Sequence, residues 1–100
     1  MTLSTHVLDT ARGEPAAGVN VRLERDGTTV VEAVTDADGR VRDLGPVSAG
    51  RYRLVFDTGA YLGPDAFFPA VTVEFTVTGD RHYHVPLLLS PFGYSTYRGS

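Results

Sequence analysis

From Val19 to Glu24 apolar and polar residues alternate, with Val19, Val21 and Leu23 on one side and Asn20, Arg22 and Glu24 on the other. A period of two is the signature of a strand with one buried face. The segment Val71 to Val77 repeats it, setting Val71, Val73, Phe75 and Val77 inward against Thr72, Glu74 and Thr76. Arg51 to Phe56 turns Tyr52, Leu54 and Phe56 inward, and Thr28 to Thr35 is a β-branched run preceded by the turn pair Asp26-Gly27. An opening strand near Leu3 to Asp9 and closing strands near Arg81 to Leu89 and Phe92 to Arg98 bring the total to about eight, the spacing of an all-β sandwich. Further turns are marked by Asp38-Gly39, Gly45-Pro46, Ala49-Gly50 and Gly63-Pro64-Asp65, and at most one helical turn fits, around Gly59 to Leu62. There is no repeat, linker or low-complexity tract, so residues 1–100 are expected to form one domain.

The same alternation assigns faces within the histidine-bearing strands. In the late strand Tyr83, Val85, Leu87 and Leu89 form the natural core side, leaving His82, His84, Pro86 and Leu88 outside. In the first strand Leu3, Thr5 and Val7 point inward, leaving Ser4, His6 and Leu8 outside. An outer face that mixes leucines with histidines is costly to leave in water and is expected to be covered by another copy of the chain. The closing segment Phe92 to Arg98 adds three aromatics and a charge, which suits an interface or a pocket wall. Pro86 cannot donate a ladder hydrogen bond, which points to an edge strand or a bulge.

Composition narrows the chemistry. The 100 residues contain no cysteine, excluding disulfides, thiolate nucleophiles and zinc–thiolate sites. Every basic residue is an arginine, excluding a Schiff-base lysine. A net charge of −3 and a pI near 5.4 are wrong for a nucleic-acid partner, which requires a basic face. No apolar run reaches the roughly 20 residues of a membrane helix, and Met1 to His6 lack a secretory pattern, so no membrane partner and a cytoplasmic location are expected. The final residues, Tyr97-Arg98-Gly99-Ser100, are not a peroxisomal address.

What remains is histidine, arginine, carboxylate, hydroxyl and main chain. An ordinary imidazole titrates near neutrality, so His6 or His84 could take a proton from water, although a lone histidine more often reads as a surface or interface residue bonded to a neighbour. His82 and His84, two apart on a strand, could hold a metal with His6 as third ligand. Arg40, directly after the turn Asp36-Ala37-Asp38-Gly39, could bind an anion or a polarised carbonyl, or simply be solvated. Arg12-Gly13, Arg98-Gly99, Ser100 and the run Gly50-Arg51-Tyr52-Arg53 are bland on their own. Read from the residues alone, this is a β-sandwich with an outward histidine cluster.

Three blocks resemble the transthyretin-like family, and specifically its 5-hydroxyisourate hydrolase branch. Leu3-Ser4-Thr5-His6-Val7-Leu8-Asp9-Thr10, with Gly13, Pro15, Ala16 and Gly18, looks like the opening strand and turn. Thr35-Asp36-Ala37-Asp38-Gly39-Arg40 looks like the turn that ends in the family's active-site arginine. The most specific block runs from His82 to Pro91 and then from Tyr94 to Ser100, ending in the Tyr-Arg-Gly-Ser that the hormone carriers lack. The likeness also takes in Tyr52 to Tyr61 and Phe67-Phe68-Pro69, whereas Leu62 to Ala66 looks shorter than the usual short helix. The resemblance implies a transthyretin-like (prealbumin-like) two-sheet sandwich with one short helical turn, assembled as a homotetramer. It implies hydrolysis of the small molecule 5-hydroxyisourate to 2-oxo-4-hydroxy-4-carboxy-5-ureidoimidazoline in urate degradation, with no metal or organic cofactor. His6, Arg40 and His84 would be catalytic, and Tyr97, Arg98 and Ser100 would line the substrate pocket. The alternative within the same fold is a carrier that binds an aromatic ligand without turning it over.

Overall fold

The alternating segments become strands in the computed structural model, which describes residues 1–100. In chain order these are β1 (Thr2–Asp9), β2 (Glu14–Pro15), β3 (Asn20–Arg25), β4 (Thr28–Val34), β5 (Arg40–Val41), β6 (Gly50–Phe56), the helix α1 (Thr58–Leu62), β7 (Val71–Val77), β8 (His82–Ser90) and β9 (Gly93–Thr96). One sheet has the order β2-β1-β8-β9, with β5 also paired to β1, and the other has the order β4-β3-β6-β7. The expected two-sheet sandwich is observed.

Pairing of β1 with β8 is parallel and runs the whole length of β1, from Thr2 opposite His82 to Asp9 opposite Leu89. The two strands are in phase, so Leu3, Thr5 and Val7 enter the core beside Tyr83, Val85, Leu87 and Leu89. Val19, Val21, Leu23, Leu54 and Phe56 of the second sheet meet them, all fully buried. Each such side chain contributes roughly 1.5–3 kcal/mol on leaving water, which makes this register expensive to change. Among these residues the polar Thr5 donates its hydroxyl to the Val85 carbonyl at 2.6 Å, so its burial leaves no unpaired group. On β7 only the ends, Val71 and Val77, are fully enclosed, while Val73 and Phe75 are half-buried along the open side of the sandwich.

Local chemistry fixes the connections. Asp26 and Gly27 both take positive φ, 52° and 77°, the primed turn whose twist matches that of its strands, and Arg25 therefore pairs directly with Thr28. Asp57 caps α1 by accepting from the Ala60 amide at 3.3 Å, and Gly63, with φ of 90°, ends it after five residues.

Three features depart from the sequence expectation. Two strands, β2 and β5, are only two residues long and carry too little pattern to register as strands. The last strand is Gly93–Thr96 rather than Phe92–Arg98, because Pro91 and Phe92 form the turn that lets Ser90 pair with Gly93. Pro86 lies neither in an edge strand nor at a bulge: β8 is interior, between β1 and β9. The β9 ladder ends at Thr96 opposite Leu87 and resumes only as an isolated bridge between Gly99 and His84. Pro86 falls in that gap, where its missing N–H would have faced β9, and the Thr96 hydroxyl donates to its carbonyl at 2.7 Å.

Candidate active site

The outer face of the β1/β8 pair carries His6 and His84, with His82 on the same side. Register places Ser4 beside His84 and His6 beside Pro86 on one side, and His6 opposite Arg40 of β5 on the other. Three segments far apart in sequence thus deliver His6, Arg40 and His84 to one patch, all three half-buried.

A tightly bonded turn delivers Arg40. The Asp36 carboxylate accepts from the amides of Asp38 at 2.8 Å and Arg40 at 3.0 Å, and the Asp36 amide donates to the Arg40 carbonyl at 2.9 Å. The Arg40 amide bond is the main reason the Asp36 carboxyl is held below the usual carboxylate range. Gly39, with φ of 73°, presses its backbone onto β1, its carbonyl accepting from the Val7 amide at 2.7 Å. A side chain there would overlap the Val7 carbonyl oxygen. Arg42, two residues on, occupies the turn carboxylates by pairing with Asp36 and Asp38. The Arg40 guanidinium makes no ion pair or hydrogen bond within the chain, leaving its donors available to a ligand.

His6 bonds through Nε2 to the Asp38 carbonyl at 2.9 Å. A carbonyl only accepts, so Nε2 carries the hydrogen and Nδ1 is unengaged. His84 is bonded through Nδ1 to Ser4 Oγ at 2.8 Å, which leaves Nε2 without a partner. Burial and then the electrostatic influence of Arg40 and the neighbouring His6 and His82 lower the His84 pKa below the ordinary 6.5, so its ring is neutral at pH 7 with a lone pair to offer. Gly99 lies against this ring: its amide donates to the His84 carbonyl at 2.8 Å, and a Cβ at Gly99 would collide with His84 Cδ2.

His82 is exposed and points to the same side, its Nε2 2.8 Å from Ser4 Oγ and its Nδ1 2.6 Å from Thr2 Oγ1. Both its nitrogens are taken by hydroxyls, and no group of three His, Asp or Glu side chains gathers as a metal would require. Tyr97 and Arg98 line a mainly apolar cavity of about 220 Å³ with Val73, Phe75, Tyr83 and Val85, at the open side of the sandwich. Ser100 follows Gly99 beside His84 and is exposed. Ser4 and Thr2 were not singled out by sequence reasoning. The only available signal was that Ser4 shares the outward parity of His6, and its bonding to both late histidines depends on the parallel register.

Known proteins share the sequence and the sandwich of this chain. The HIUase/Transthyretin family matches residues 3–99. The 5-hydroxyisourate hydrolase of Salmonella dublin is 50% identical over 109 residues, an alignment covering 98% of this chain and 80% of that protein. The solved structure of Klebsiella pneumoniae 5-hydroxyisourate hydrolase superposes with a TM-score of 0.93 at 46% identity, covering all of both chains. Sea bream transthyretin in complex with thyroxine superposes with a TM-score of 0.88 at 37% identity, covering 97% of this chain and 93% of that one. On the strength of a match across nearly its whole length, and of a sandwich with the same architecture, the chain belongs to the HIUase/Transthyretin family.

Proposed function

We propose that this chain is the hydrolase and not the carrier of its family, opening the ring of 5-hydroxyisourate to give 2-oxo-4-hydroxy-4-carboxy-5-ureidoimidazoline in urate degradation. The observation that carries this reading is an unengaged imidazole nitrogen, His84 Nε2, on the same patch as an unpaired guanidinium, Arg40. Amide hydrolysis needs a base for water and a cation for the developing oxyanion, and these two groups supply both. His84, neutral at pH 7, takes the proton from water. Arg40 holds the substrate oxygens, and His6, fixed by Asp38, orients the substrate or the water beside it. No metal or organic cofactor enters this chemistry.

In this reading the enzyme works in the cytoplasm as a homotetramer, and a second copy closes the patch into a cleft that Tyr97, Arg98 and Ser100 help to line. The half-buried Leu8 and Leu88 on the same face support covering by protein. No helix of the chain is long and apolar enough to cross a membrane.

The test is the loss of ultraviolet absorbance of freshly generated 5-hydroxyisourate. Wild type accelerates it; His84→Ala and His6→Ala slow it by about 10²–10⁴-fold and Arg40→Ala by about 10²–10³-fold. Full activity in all three variants removes the site. The thyroxine complex of sea bream transthyretin favours the carrier as the second reading, and retention of an aromatic ligand with no turnover of 5-hydroxyisourate would select it. Sedimentation at a monomer mass would remove the shared cleft.

A further inference from the structure

Ser4 Oγ lies 2.8 Å from His84 Nδ1 and 2.8 Å from His82 Nε2, and His82 Nδ1 lies 2.6 Å from Thr2 Oγ1. Thr2 and His82 are exposed, whereas Ser4 is buried and His84 half-buried. The four groups form one hydrogen-bonded chain from the candidate base to the surface.

A hydroxyl has one hydrogen to give, and with both rings neutral and that hydrogen spent inside the chain there are two directions. In the first, His84 Nδ1–H donates to Ser4, Ser4 donates to His82 Nε2, and His82 Nδ1–H donates to Thr2. In the second, every bond is reversed and His84 carries its hydrogen on Nε2. Only the first leaves a lone pair on His84 Nε2 for water.

We propose that Ser4 and His82 are positioning residues that select this His84 tautomer and carry away the proton that His84 accepts. The inference rests on the proposed hydrolase reading and deepens it. Water gives a proton to His84 Nε2 as its oxygen bonds to the substrate carbonyl carbon, whose π electrons move onto the carbonyl oxygen. The His84 Nδ1 proton passes to Ser4 Oγ while the Ser4 hydrogen passes to His82 Nε2. His84 is left neutral, now protonated on Nε2, and the positive charge rests on His82. When the carbon–nitrogen bond breaks, His84 Nε2–H protonates the departing nitrogen, and the relay runs back from His82 through Ser4.

The surrounding charges favour moving the cation outward. Arg40 from β5, His6 from β1 and His82 from β8 all face His84, and all but His82 stay behind when the charge leaves. Around His82, the nearby charged groups are Arg81, whose Nε donates to the His82 carbonyl, and the Met1 ammonium, which pairs with the exposed Asp80.

The experiment uses the full chain and two kinds of readout. In ¹⁵N-resolved spectra of the imidazoles at pH 7.5, His84 of wild type should be the Nδ1–H tautomer. In Ser4→Ala that preference should weaken, and in Ser4→Thr it should persist. In the absorbance assay, Ser4→Ala and His82→Gln should each lower kcat about tenfold or more with KM within about twofold. The Ser4→Ala/His82→Gln double variant should be no slower than the worse single one, since both cut one chain, and Ser4→Thr should restore most of the rate. The dependence of kcat on deuterium fraction should be bowed in wild type, where several protons move together, and linear in His82→Gln. His82→Gln at wild-type kcat with a bowed dependence, or His84 found as the Nε2–H tautomer, overturns the relay. Wild type that leaves 5-hydroxyisourate unconsumed sinks the hydrolase reading, and the spectra still decide the tautomer.

Discussion

Replacing Gly39 by alanine should separate the cost of a strained turn from the cost of misplacing Arg40. An L-residue at the observed φ of 73° carries strain of roughly 1–2 kcal/mol. The added methyl cannot be accommodated, because it would overlap the Val7 carbonyl oxygen and stand 3.1 Å from the Ala16 nitrogen and the Pro15 Cβ. Two of these three atoms are backbone, so the turn must lift from β1, weakening the bond from the Val7 amide to the Gly39 carbonyl, about 0.5–1.5 kcal/mol. The expected loss is about 1.5–3.5 kcal/mol, against about 1–2 kcal/mol for Gly13→Ala, where φ is 68° but nothing lies within 4 Å. At a urea dependence of roughly 1–3 kcal/mol per molar, the extra cost of about 0.5–1.5 kcal/mol should separate the two midpoints by about 0.5 M at equal protein concentration. Arg40 follows Gly39 directly, so a lift of about 1 Å should also cost on the order of 10²-fold in kcat/KM. Gly13→Ala should keep wild-type activity. If both variants lose the same stability, or Gly39→Ala retains full turnover, then the close approach of the turn to β1 does not position Arg40.

Further outcomes follow from His84 and from the Tyr61–Asp9 contact. The acid limb of kcat/KM should have its midpoint below 6.5, because burial and then Arg40, His6 and His82 lower the His84 pKa, and Arg40→Gln should move that midpoint upward. Folding should follow the same sign: below pH 6.5 the unfolded chain binds a proton that folded His84 resists. Stability is therefore lost as pH falls through 6.5, and His84→Gln should flatten this loss in urea titrations at pH 7.5 and 5.5. Tyr61→Phe should cost about 1–3 kcal/mol, since the Tyr61 hydroxyl donates at 2.8 Å to the buried Asp9 carboxylate and Arg12 is its only other partner for that oxygen, at 3.8 Å. The same burial and carboxylate push the Tyr61 pKa up to about 12, so an absorbance titration that finds tyrosines ionising only near 10 would contradict the contact.

Alternation alone was enough to place Val19 to Glu24, Arg51 to Phe56 and Val71 to Val77 in strands and to put His6 and His84 outside, because side-chain parity is a local property. Parity does not give pairing. Ser4 and His84 are 80 residues apart, and nothing local says that β1 lies parallel to β8 with these two abreast. The same holds for Arg40: its strand of two residues has no period to read, and only its contact with β1 makes it a strand. Resemblance supplied Arg40 as a site residue, and the register supplied the reason it sits opposite His6. Pro86 misled because the rule for proline concerns one side of a strand. The side facing β1 keeps its pairing, and the missing donor falls where β9 has already stopped.

The histidine patch inherits its accuracy from the core beneath it. A slip of one residue between β1 and β8 that turned the side chains of β1 over would bury His6 and expose Leu3 and Val7. Leu3, Val7, Leu87 and Leu89 are all fully buried, so such a slip would forfeit several kcal/mol from two of these side chains alone. The register that buries them is also the one that sets Ser4 Oγ at 2.8 Å from both His82 and His84 and brings Arg40 opposite His6. A site built on loops would have to hold those distances separately. Here only Arg40 arrives from a turn, and that turn is the element pinned to β1 by a glycine that tolerates no side chain. The outer face can therefore keep polar, unpaired groups ready for a substrate, because their placement depends on the register that the hydrophobic contacts of β1 and β8 set on the opposite side.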